Sequence, residues 1–366
     1  MIITVNKTDF ADALASVSKV IPSRPSVPVL RGAVLEVADG VLSVSGTDSQ
    51  TTITVTVPAD VTEMGRTVVP GRVLAAIAGR LPNRPVEISL NEQHLILQCG
   101  KSRFDLPVMD VDRFPTRPTM PEQVGSIDGD LLLRMAKRVG VAASNDESLP
   151  MLTGVDISAD EGGITFAATD RFRLAVDRAG WDGNPMKALV PSTALMEAVK
   201  HTPGCEVAVH ASGSSVGFTA DNFSIITGVI DAEFPAWQKL VPDSVTTAVT
   251  IDAAALTDAI QRVGIVADNG AQVRFVVEGG VVTLCANGVA EGAASEVLDC
   301  TVWGEDVTVA FNPNYLRGAL VSHVGEVVLG VNGASRPGVV VPGGSVVGGV
   351  VDGGDGVHIV MPVRLN

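Results

Sequence analysis

The chain has 366 residues, of which 46% are hydrophobic, and a formal net charge of −15. A chain of this length is expected to form two or three domains with buried cores. No apolar run approaches the roughly 20 residues that a membrane-spanning helix needs, and residues 1–14 lack the apolar stretch of a signal peptide. The four cysteines lie far apart without a CxxC pair, which argues against a zinc site or a disulfide framework. We therefore expect a soluble, cytoplasmic protein without a metal or other cofactor.

The first predicted element is an amphipathic helix. Its apolar residues recur at i, i+4, i+7 and i+10 and form one face: Phe10, Leu14, Val17 and Val20. A strand-like run begins at Leu30, and a hairpin turn is predicted at Asp39-Gly40. Val69-Pro70 leads into a second helix, because proline is tolerated in a first helical turn. The segment is thus an α+β unit with two helices on one face of an antiparallel sheet.

The same order of elements recurs twice, at a period of about 120 residues. The first-helix faces of the later copies are Leu131, Met135 and Val141, then Leu256, Ile260, Val263 and Val266. Later strand runs begin at Leu152 and Val273, later hairpin turns lie at Gly162-Gly163 and Gly279-Gly280, and later second helices follow Val190-Pro191 and Phe311-Asn312. Proline-bearing segments near 114–121 and 234–242 separate the copies. The sequence therefore predicts three tandem domains, at residues 1–123, 124–248 and 249–366.

The predicted helices carry relatively more basic charge than the rest of the chain. Their windows are residues 7–24, 70–84, 128–147, 191–202, 253–267 and 312–323. These windows hold twelve basic and eight acidic residues, so that they sum to +4 and leave −19 for the remainder. Complementing the helix dipole explains individual basic residues. The asymmetry over all six helices favours a helical side that faces phosphates and an acidic sheet side.

No catalytic motif stands out in the sequence. It contains no P-loop, no HExxH and no GxGxxG. Residues 213–217 match the GxSxG pattern of hydrolases, but their surroundings predict strand–turn–strand instead of the strand–turn–helix that the motif needs. The pairs Asp110/Asp112 and Asp128/Asp130 are better explained as loop and N-cap residues than as metal ligands. We therefore expect that the protein is not an enzyme.

Six strings, in order along the chain, are typical of one known family. They are SRPSVPVLRG at 23–32, LPMLTGVDI at 149–157, ATDRFRLAV at 168–176, FPAWQKLVP at 234–242, FNPNYL at 311–316 and MPVRL at 361–365. With them the chain resembles, from end to end, the bacterial DNA polymerase III β subunit family, the β sliding clamps. The resemblance implies the DNA clamp fold: a head-to-tail homodimeric ring of six domains, with helices inside around double-stranded DNA. It also implies a replicative DNA polymerase, a clamp loader, and repair and translesion enzymes as partners.

The same resemblance, carried over residue by residue, implies a cleft that binds partner peptides. Its expected walls are Leu152, Thr169, Arg171, Phe172, Arg173, Leu174, Pro235, Lys239, Leu240, Val360, Met361, Pro362, Val363 and Arg364, with Asn312 and Tyr315 as neighbours. Leu174, Leu240, Val360 and Met361 suit an apolar floor, and the methionine adapts to varied ligands. Arg173 and Lys239 suit acidic or carbonyl groups at the rim. Core packing remains an alternative for each apolar residue taken alone.

Exposed basic residues on or beside the helices are the candidates for DNA contact. They are Arg24, Arg72, Arg80, Lys137, Arg138, Lys200 and Arg317. Arg24 lies in a loop that matches the family's SRP string, which makes it the best single candidate for a phosphate contact.

The family's dimer contact joins an edge strand of the first domain to the third domain. The matching apolar residues are Phe104, Leu106, Ile265 and Val266. Apolar residues beside an otherwise acidic surface favour an interface, and ordinary core packing is the alternative.

Two departures from the family pattern leave questions open. Arg171-Phe172 stands where the family commonly has Gly-His, so peptide preference is expected to differ. Residues 338–357 are unusually rich in glycine and valine, and their strand register stays open. A phage or accessory clamp paralogue that keeps the ring is the alternative function, and an enzyme of unknown type is a more distant one.

Overall fold

The computed structural model describes residues 1–267, 272–288, 292–352 and 356–364. It has two compact units. Unit 1 comprises Met1–Gly129 and Lys200–Val229, and unit 2 comprises Asp130–Val199 and Ile230–Asn366. The first repeat lies in unit 1, the third lies in unit 2, and the second contributes to both. Within the described ranges, no helix is both long and apolar enough to cross a membrane.

Each repeat has the predicted succession of helix, strands, helix and strands. The helices are α1 (Lys7–Val17), α2 (Gly71–Ala78), α3 (Gly129–Gly140), α4 (Pro150–Thr153), α5 (Ser192–Ala198), α6 (Ala253–Val263) and α7 (Pro313–Leu320). An initial strand precedes the first helix of every repeat: β1 (Ile2–Val5), β9 (Gln123–Asp128) and β17 (Thr247–Asp252). These three strands are not among the predicted elements.

The remaining strands follow in chain order. Those of the first repeat are β2 (Gly32–Ala38), β3 (Val41–Thr47), β4 (Thr51–Glu63), β5 (Gly65–Pro70), β6 (Val86–Leu90), β7 (His94–Cys99) and β8 (Ser102–Pro107). Those of the second are β10 (Gly154–Asp160), β11 (Gly163–Thr169), β12 (Arg173–Ala179), β13 (Met186–Pro191), β14 (Glu206–Ala211), β15 (Ser215–Ala220) and β16 (Phe223–Gly228). Those of the third are β18 (Val273–Glu278), β19 (Val281–Gly288), β20 (Gly292–Leu298), β21 (Thr301–Gly304), β22 (Val307–Phe311), β23 (Glu326–Val331), β24 (Gly338–Pro342), β25 (Val346–Val347), β26 (Val350–Val351) and β27 (Val357–Val360).

In unit 1, helix α1 packs on α2 and on the sheet. The side chain of Asn6 caps α1 by accepting hydrogen bonds from the amides of Thr8 and Asp9. Phe10, Leu14 and Val17 are fully buried along one helical face, as their spacing predicts. The sheet runs in the order β8-β7-β6-β1-β4-β16-β15-β14-β9, with β2, β3 and β5 attached beside β4, and every pairing is antiparallel.

Unit 2 contains two larger antiparallel sheets. One has the order β13-β10-β11-β12-β27-β24-β23-β17-β21 and the other the order β20-β19-β18-β22. Helices α6 and α7 bury Leu256, Ile260 and Leu316 in a core that includes Phe275 and Phe311. Within residues 338–357, β24 belongs to the first of these sheets and β25 pairs with β26; residues 353–355 lie outside the described ranges.

Several predicted turns are confirmed by backbone geometry. Asp39 and Gly40 have φ of 49° and 79°, and Gly279 and Gly280 have φ of 59° and 81°, as tight hairpins require. The GxSxG match at 213–217 lies at the hairpin between β14 and β15, so the predicted turn is confirmed there too.

Two features of the predicted pattern are wrong in detail. The buried face of α3 consists of Leu132, Met135, Ala136 and Val139, with Leu131 and Val141 only half-buried. Met135 is confirmed as an inward residue, whereas Leu132 and Val139 take the places predicted for Leu131 and Val141. Leu30 and Leu152 do not begin strands, because each lies in a short helical turn before β2 or β10. Their side chains are nevertheless buried, at 5% and 4% exposure.

The repeats are joined edge to edge by equivalent strands. In unit 1, β4, the strand after the first hairpin of its repeat, pairs with β16, the last strand of the second repeat. In unit 2, β12 occupies the same place in the second repeat and pairs with β27, the last strand of the third. The corresponding strands β20 and β8 each end a sheet, and their outer edges have no strand partner in the described part of the chain.

Candidate partner-binding cleft and basic helix surfaces

The candidate cleft is built around the loop at residues 169–173, between β11 and β12. Thr169 Oγ1 donates a 2.7 Å hydrogen bond to the Arg173 carbonyl oxygen. The Asp170 carboxylate accepts bonds from the amides of Phe172 and Arg173, at 2.9 and 3.0 Å. Arg171 has a φ of 79°, a left-handed conformation that is uncommon outside glycine. These bonds hold the loop so that Arg171 and Phe172 project outward, both exposed.

The end of the chain is fastened to this loop. The amide of Met361 donates a 2.8 Å hydrogen bond to the carbonyl oxygen of Phe172, and the amide of Val363 donates one of the same length to Ala310. Pro362 forms an isolated bridge with Phe311. Terminal residues are usually frayed unless they are tied down. Residues 361–363 are tied down, and they lie directly beside the loop.

Three exposed apolar side chains belong to the predicted cleft. Phe172 is 51% exposed, Leu240 is 53% exposed and Met361 is 40% exposed. Beneath them, the predicted residues Leu152, Leu174 and Val360 are buried. Burial assigns these last three to packing below the surface, so that among these six residues only the exposed three are accessible to a ligand.

The aromatic and basic side chains of the cleft contact one another. The rings of Phe172 and Tyr315 stack at a centroid distance of 6.1 Å, and the Arg173 guanidinium lies 4.8 Å from the Tyr315 ring centroid. Arg173 Nε also donates a 2.9 Å bond to Asp170. Arg173 is therefore a half-buried residue that fixes the loop, whereas Arg171 and Lys239 are exposed and can meet an acidic ligand group.

The other predicted cleft residues have mixed positions. Thr169 is buried, Pro235 and Arg364 are exposed, and Asn312 caps α7 by accepting a bond from the Asn314 amide. Trp237 is not among the predicted cleft residues. That side chain is buried in the same core cluster as Leu174, and the Arg178 guanidinium lies 5.7 Å from its ring centroid. Its place inside the FPAWQKLVP string was the available signal.

Most of the basic residues predicted to contact DNA are exposed. They are Arg24, Arg72, Arg80, Lys137, Lys200 and Arg317. Arg72 Nε donates a 2.7 Å bond to the carbonyl oxygen of Ile21, which fixes its side chain beside α1. In unit 2, Lys137 borders a 680 Å³ groove along α3 together with Arg134. Both units therefore present basic side chains on or beside their helices.

Arg138 is a correction to the predicted DNA-binding set. Its side chain is only 8% exposed and its Nη1 lies 3.2 Å from the fully buried carboxylate of Asp177. An arginine in this position is unavailable to a phosphate, so we assign it to the interior of unit 2.

Two histidines lie beside this buried ion pair. The rings of His323 and His358 are 5.5 Å apart, and each has a buried Nε2 without a hydrogen-bond partner in the described part of the chain. Burial, together with the nearby charge of Arg138, lowers the pKa of His323 to about 4. Burial also lowers the pKa of His358 well below its ordinary value. Both rings are therefore neutral at pH 7.

The predicted dimer residues divide into exposed and buried groups. Ile265 is 78% exposed and Phe104 is 36% exposed, which suits an interface. Leu106 is only 7% exposed, and Val266 packs against the core of the third repeat. The prediction of a direct contact is therefore wrong for Leu106, and Val266 has packing partners within its own chain.

Within the described residues, no group of three or more His, Cys, Asp or Glu side chains is arranged to hold a metal ion.

Three family models match the chain in succession. They describe the N-terminal, central and C-terminal domains of the DNA polymerase III beta subunit and match residues 1–118, 126–236 and 238–345.

Proteins named as beta sliding clamps match this chain over most of their own length. The beta sliding clamp of Streptomyces coelicolor is 36% identical over 330 residues, which cover 87% of this chain and 88% of that protein. The beta sliding clamp of Micrococcus luteus is 32% identical over 306 residues, which cover 82% and 99%. Among solved structures, the sliding clamp of Bacillus subtilis has a TM-score of 0.91 and that of Pseudomonas aeruginosa bound to griselimycin a TM-score of 0.92. Both are 25% identical and match the full length of both chains.

Proposed function

Because the chain belongs to the DNA polymerase III β subunit family, whose members are non-catalytic processivity factors, we propose that two copies close head to tail into a ring around duplex DNA. The observation that carries this proposal is the repeated strand pairing between repeats. The pairs β4–β16 and β12–β27 leave β20 and β8 as the equivalent pair without a partner in the described part of the chain. Pairing β20 of one copy with β8 of the next continues the same rule, and two copies give six domains. An unpaired edge strand is also a ready template for such pairing.

The domains of this ring are residues 1–123, 124–248 and 249–366. Their helices face the hole, where exposed basic residues such as Arg80, Lys137 and Arg317 attract phosphates without reading bases. The acidic remainder of a chain with net charge −15 keeps DNA off the outer surface. A protein held by topology in this way slides, since no single contact is strong.

Partners dock in the cleft at residues 169–174, 235–240 and 360–364. We assign it the replicative DNA polymerase, the clamp loader, and repair and translesion enzymes, each through a short peptide. Phe172, Leu240 and Met361 supply exposed apolar surface for peptide side chains, and the thioether of Met361 adapts to different shapes. The ring acts in the cytoplasm, on the nucleoid.

Retention on closed DNA tests the ring. The purified protein, loaded by its cognate clamp loader and ATP onto nicked circular DNA, should stay bound through gel filtration. Linearising the circle with a restriction enzyme should release it within the time of the experiment, because a ring leaves through a free end. Retention on linear DNA with unblocked ends would contradict topological binding.

An accessory clamp that works beside a housekeeping one is the second candidate. Arg171 and the half-exposed Phe172 replace the pair common in the family, and a changed peptide preference suits a restricted set of partners. Depletion in the source cell separates the two functions, because loss of a housekeeping clamp stops replication whereas loss of an accessory clamp does not.

A further inference from the structure

A second cleft lies in unit 1, between the first and second repeats. It has a volume of 370 Å³, within the roughly 300–1,000 Å³ of typical ligand sites. Its walls come from the loop after β3, the irregular segment at residues 114–118, the hairpin at 214–215 and the end of β16.

The loop after β3 repeats the loop of the partner-binding cleft bond for bond. Thr47 Oγ1 donates to the Thr51 carbonyl oxygen at 2.9 Å, and the Asp48 carboxylate accepts from the amides of Gln50 and Thr51 at 2.9 and 2.7 Å. Ser49 has a φ of 84°. Each of these features has its counterpart 122 residues later, in the loop at 169–173.

The junction beside this loop is also equivalent. The amide of Gly228, at the end of β16, donates a 2.9 Å bond to the carbonyl oxygen of Gln50. The corresponding bond in unit 2 joins Met361 to Phe172 at 2.8 Å. The backbone arrangement of the partner cleft therefore occurs twice in the chain, once between the first and second repeats and once between the second and third.

The side chains lining the two frames differ in character. Gln50 stands where the partner cleft has Phe172, Thr52 where it has Leu174, and Gly228 where it has Met361. Apolar side chains at these three positions of the partner cleft are therefore replaced by an amide, a hydroxyl and a glycine, and the Gln50 side-chain oxygen lies 3.0 Å from the place that a Cβ of Gly228 would take. The hydroxyl and amide groups at these positions suit a polar ligand group, and the lining also includes the apolar Phe114 and Ile226.

The charged residues of the cleft indicate whether that ligand is anionic or cationic. Two arginines, Arg66 and Arg117, line it, and no carboxylate is among the residues that do. Arg117 Nη2 donates to Ser45 at 3.1 Å and to Glu36 at 3.4 Å, and the ion pair with Glu36 already offsets the charge of Arg117. Arg66 is exposed and forms no ion pair with any described residue. Arg66, an arginine without an ion pair among the described residues, favours an anionic group.

The backbone of the cleft favours a peptide over a small anion. The segment at residues 114–118 lies outside the strands, and the amides of Thr116 and Arg117 form no backbone hydrogen bond in the described part of the chain. Both residues are exposed. Exposed unpaired amides can pair with the carbonyl groups of an extended peptide.

We propose that this cleft is a second docking site on each protomer, which takes a short extended peptide with an acidic side chain. Its carboxylate pairs with Arg66, and its backbone pairs with the segment at 114–118. The inference rests on the peptide-binding role proposed for the cleft at 169–174. It means that each protomer presents one apolar docking site and one that binds acidic peptides, so that two partners of different chemistry can be held together.

Methyl NMR of the full-length protein tests the site, because Ile226 lines it. The probe is acetyl-Gly-Ser-Glu-Ser-Gly-amide, with the Glu-to-Gln peptide as its neutral match. We expect the glutamate peptide to shift the Ile226 δ1 methyl signal saturably, and the neutral peptide to bind at least tenfold more weakly. Arg66→Gln should weaken the glutamate peptide tenfold. Arg113→Gln, the matched change at an exposed arginine outside the cleft, should not.

A second measurement distinguishes an error in this proposal from an error in the proposed role of the partner cleft. A fluorescein-labelled QLSLF peptide, followed by fluorescence polarisation, reports on the cleft at 169–174. If it binds but the glutamate peptide leaves Ile226 unshifted, the second site is wrong and the first stands. If it does not bind, the first cleft is wrong, and the Ile226 titration still decides the second. Inorganic phosphate or a short oligonucleotide that shifts Ile226 as strongly as the glutamate peptide would overturn the peptide assignment.

Discussion

The amide of Met361 donates a 2.8 Å hydrogen bond to the carbonyl oxygen of Phe172, which joins the end of the chain to the loop that follows β11. The two side chains are 40% and 51% exposed, although both are large and apolar. Exposed apolar residues held side by side by the backbone are typical of a binding surface. The positions of the Met361 and Phe172 side chains therefore depend on each other, and also on residues 362 and 363, which hold this segment in place.

Deletion of residues 362–366 should therefore abolish binding of a QLxLF-type peptide. The deletion removes the Val363 bond to Ala310 and the Pro362 bridge to Phe311, so that Met361 loses its anchorage. Fluorescence polarisation measures the peptide affinity, and sedimentation velocity should show that the dimer persists. A folded deletion variant with unchanged peptide affinity would place the partner site elsewhere.

Ring closure should depend on Ile265 and Phe104. These residues are exposed in the protomer, and an apolar side chain near the centre of an interface contributes on the order of 1–2 kcal/mol or more. The double variant Ile265→Ala with Phe104→Ala should sediment as folded monomers at micromolar concentration. Val324→Ala, a truncation at a fully exposed valine of unit 2, is the matched control and should stay dimeric. A double variant that remained dimeric would exclude this contact.

The fold could be predicted largely from the periodicity of apolar residues. The errors in that prediction have physical causes. Residues 131–133 are three consecutive leucines, so the apolar pattern of α3 has no unique phase and the inward residue, Leu132, was missed. Leu30 and Leu152 are buried as a strand residue would be, but a single helical turn buries them equally well. The initial strands β1, β9 and β17 are short, and a run of four to six residues carries a weak signal.

The candidate site could be predicted only where its side chains interact with residues that are close in the sequence. The loop at 169–173 is specified by Thr169 and Asp170, whose side chains bond to nearby amides and carbonyls. Arg138 was misassigned because its partner, Asp177, lies 39 residues away in the sequence. Lys137 and Arg138 are neighbours on one helix, and nothing local distinguishes the residue that points outward from the one that points inward.

Charge reversal at exposed helix residues should weaken loading and sliding without unfolding the protein. Arg80→Glu with Lys137→Glu removes phosphate attraction on both units, and exposed charges contribute little to stability. Each lost phosphate contact should reduce the salt dependence of DNA retention by about one unit of slope. Retention on nicked circles over a salt series measures it. Arg113→Glu with Arg336→Glu, at exposed arginines outside α1 to α7, is the matched control and should retain the original slope.

Arg138→Met should instead destabilise unit 2. The carboxylate of Asp177 is fully buried and loses its arginine, and breaking a buried pair costs about 3–5 kcal/mol. Urea unfolding followed by circular dichroism measures the loss. The double variant Arg138→Met with Asp177→Leu should recover part of it, since the uncompensated charge is gone. Lys137→Met, the neighbouring exposed residue, should leave the unfolding free energy within about 0.5 kcal/mol. Equal effects at 137 and 138 would contradict the assignment.

Stability should fall on mild acidification because His323 and His358 are buried as neutral rings. Burial holds the pKa of His323 at about 4 and that of His358 well below its ordinary value, whereas an unfolded histidine titrates near 6.5. The unfolded state therefore binds more protons between pH 6.5 and pH 4, and stability is complete above that window and lost as the pH falls through it. From pH 7.5 to pH 5.0, His323 alone should account for about 2 kcal/mol of lost unfolding free energy. Two non-titrating variants of different size, His323→Gln and His323→Phe, should both show a smaller pH-dependent loss than the unchanged protein. A loss that stayed the same in both variants, measured by urea unfolding at the two pH values, would mean that His323 is not the group that titrates.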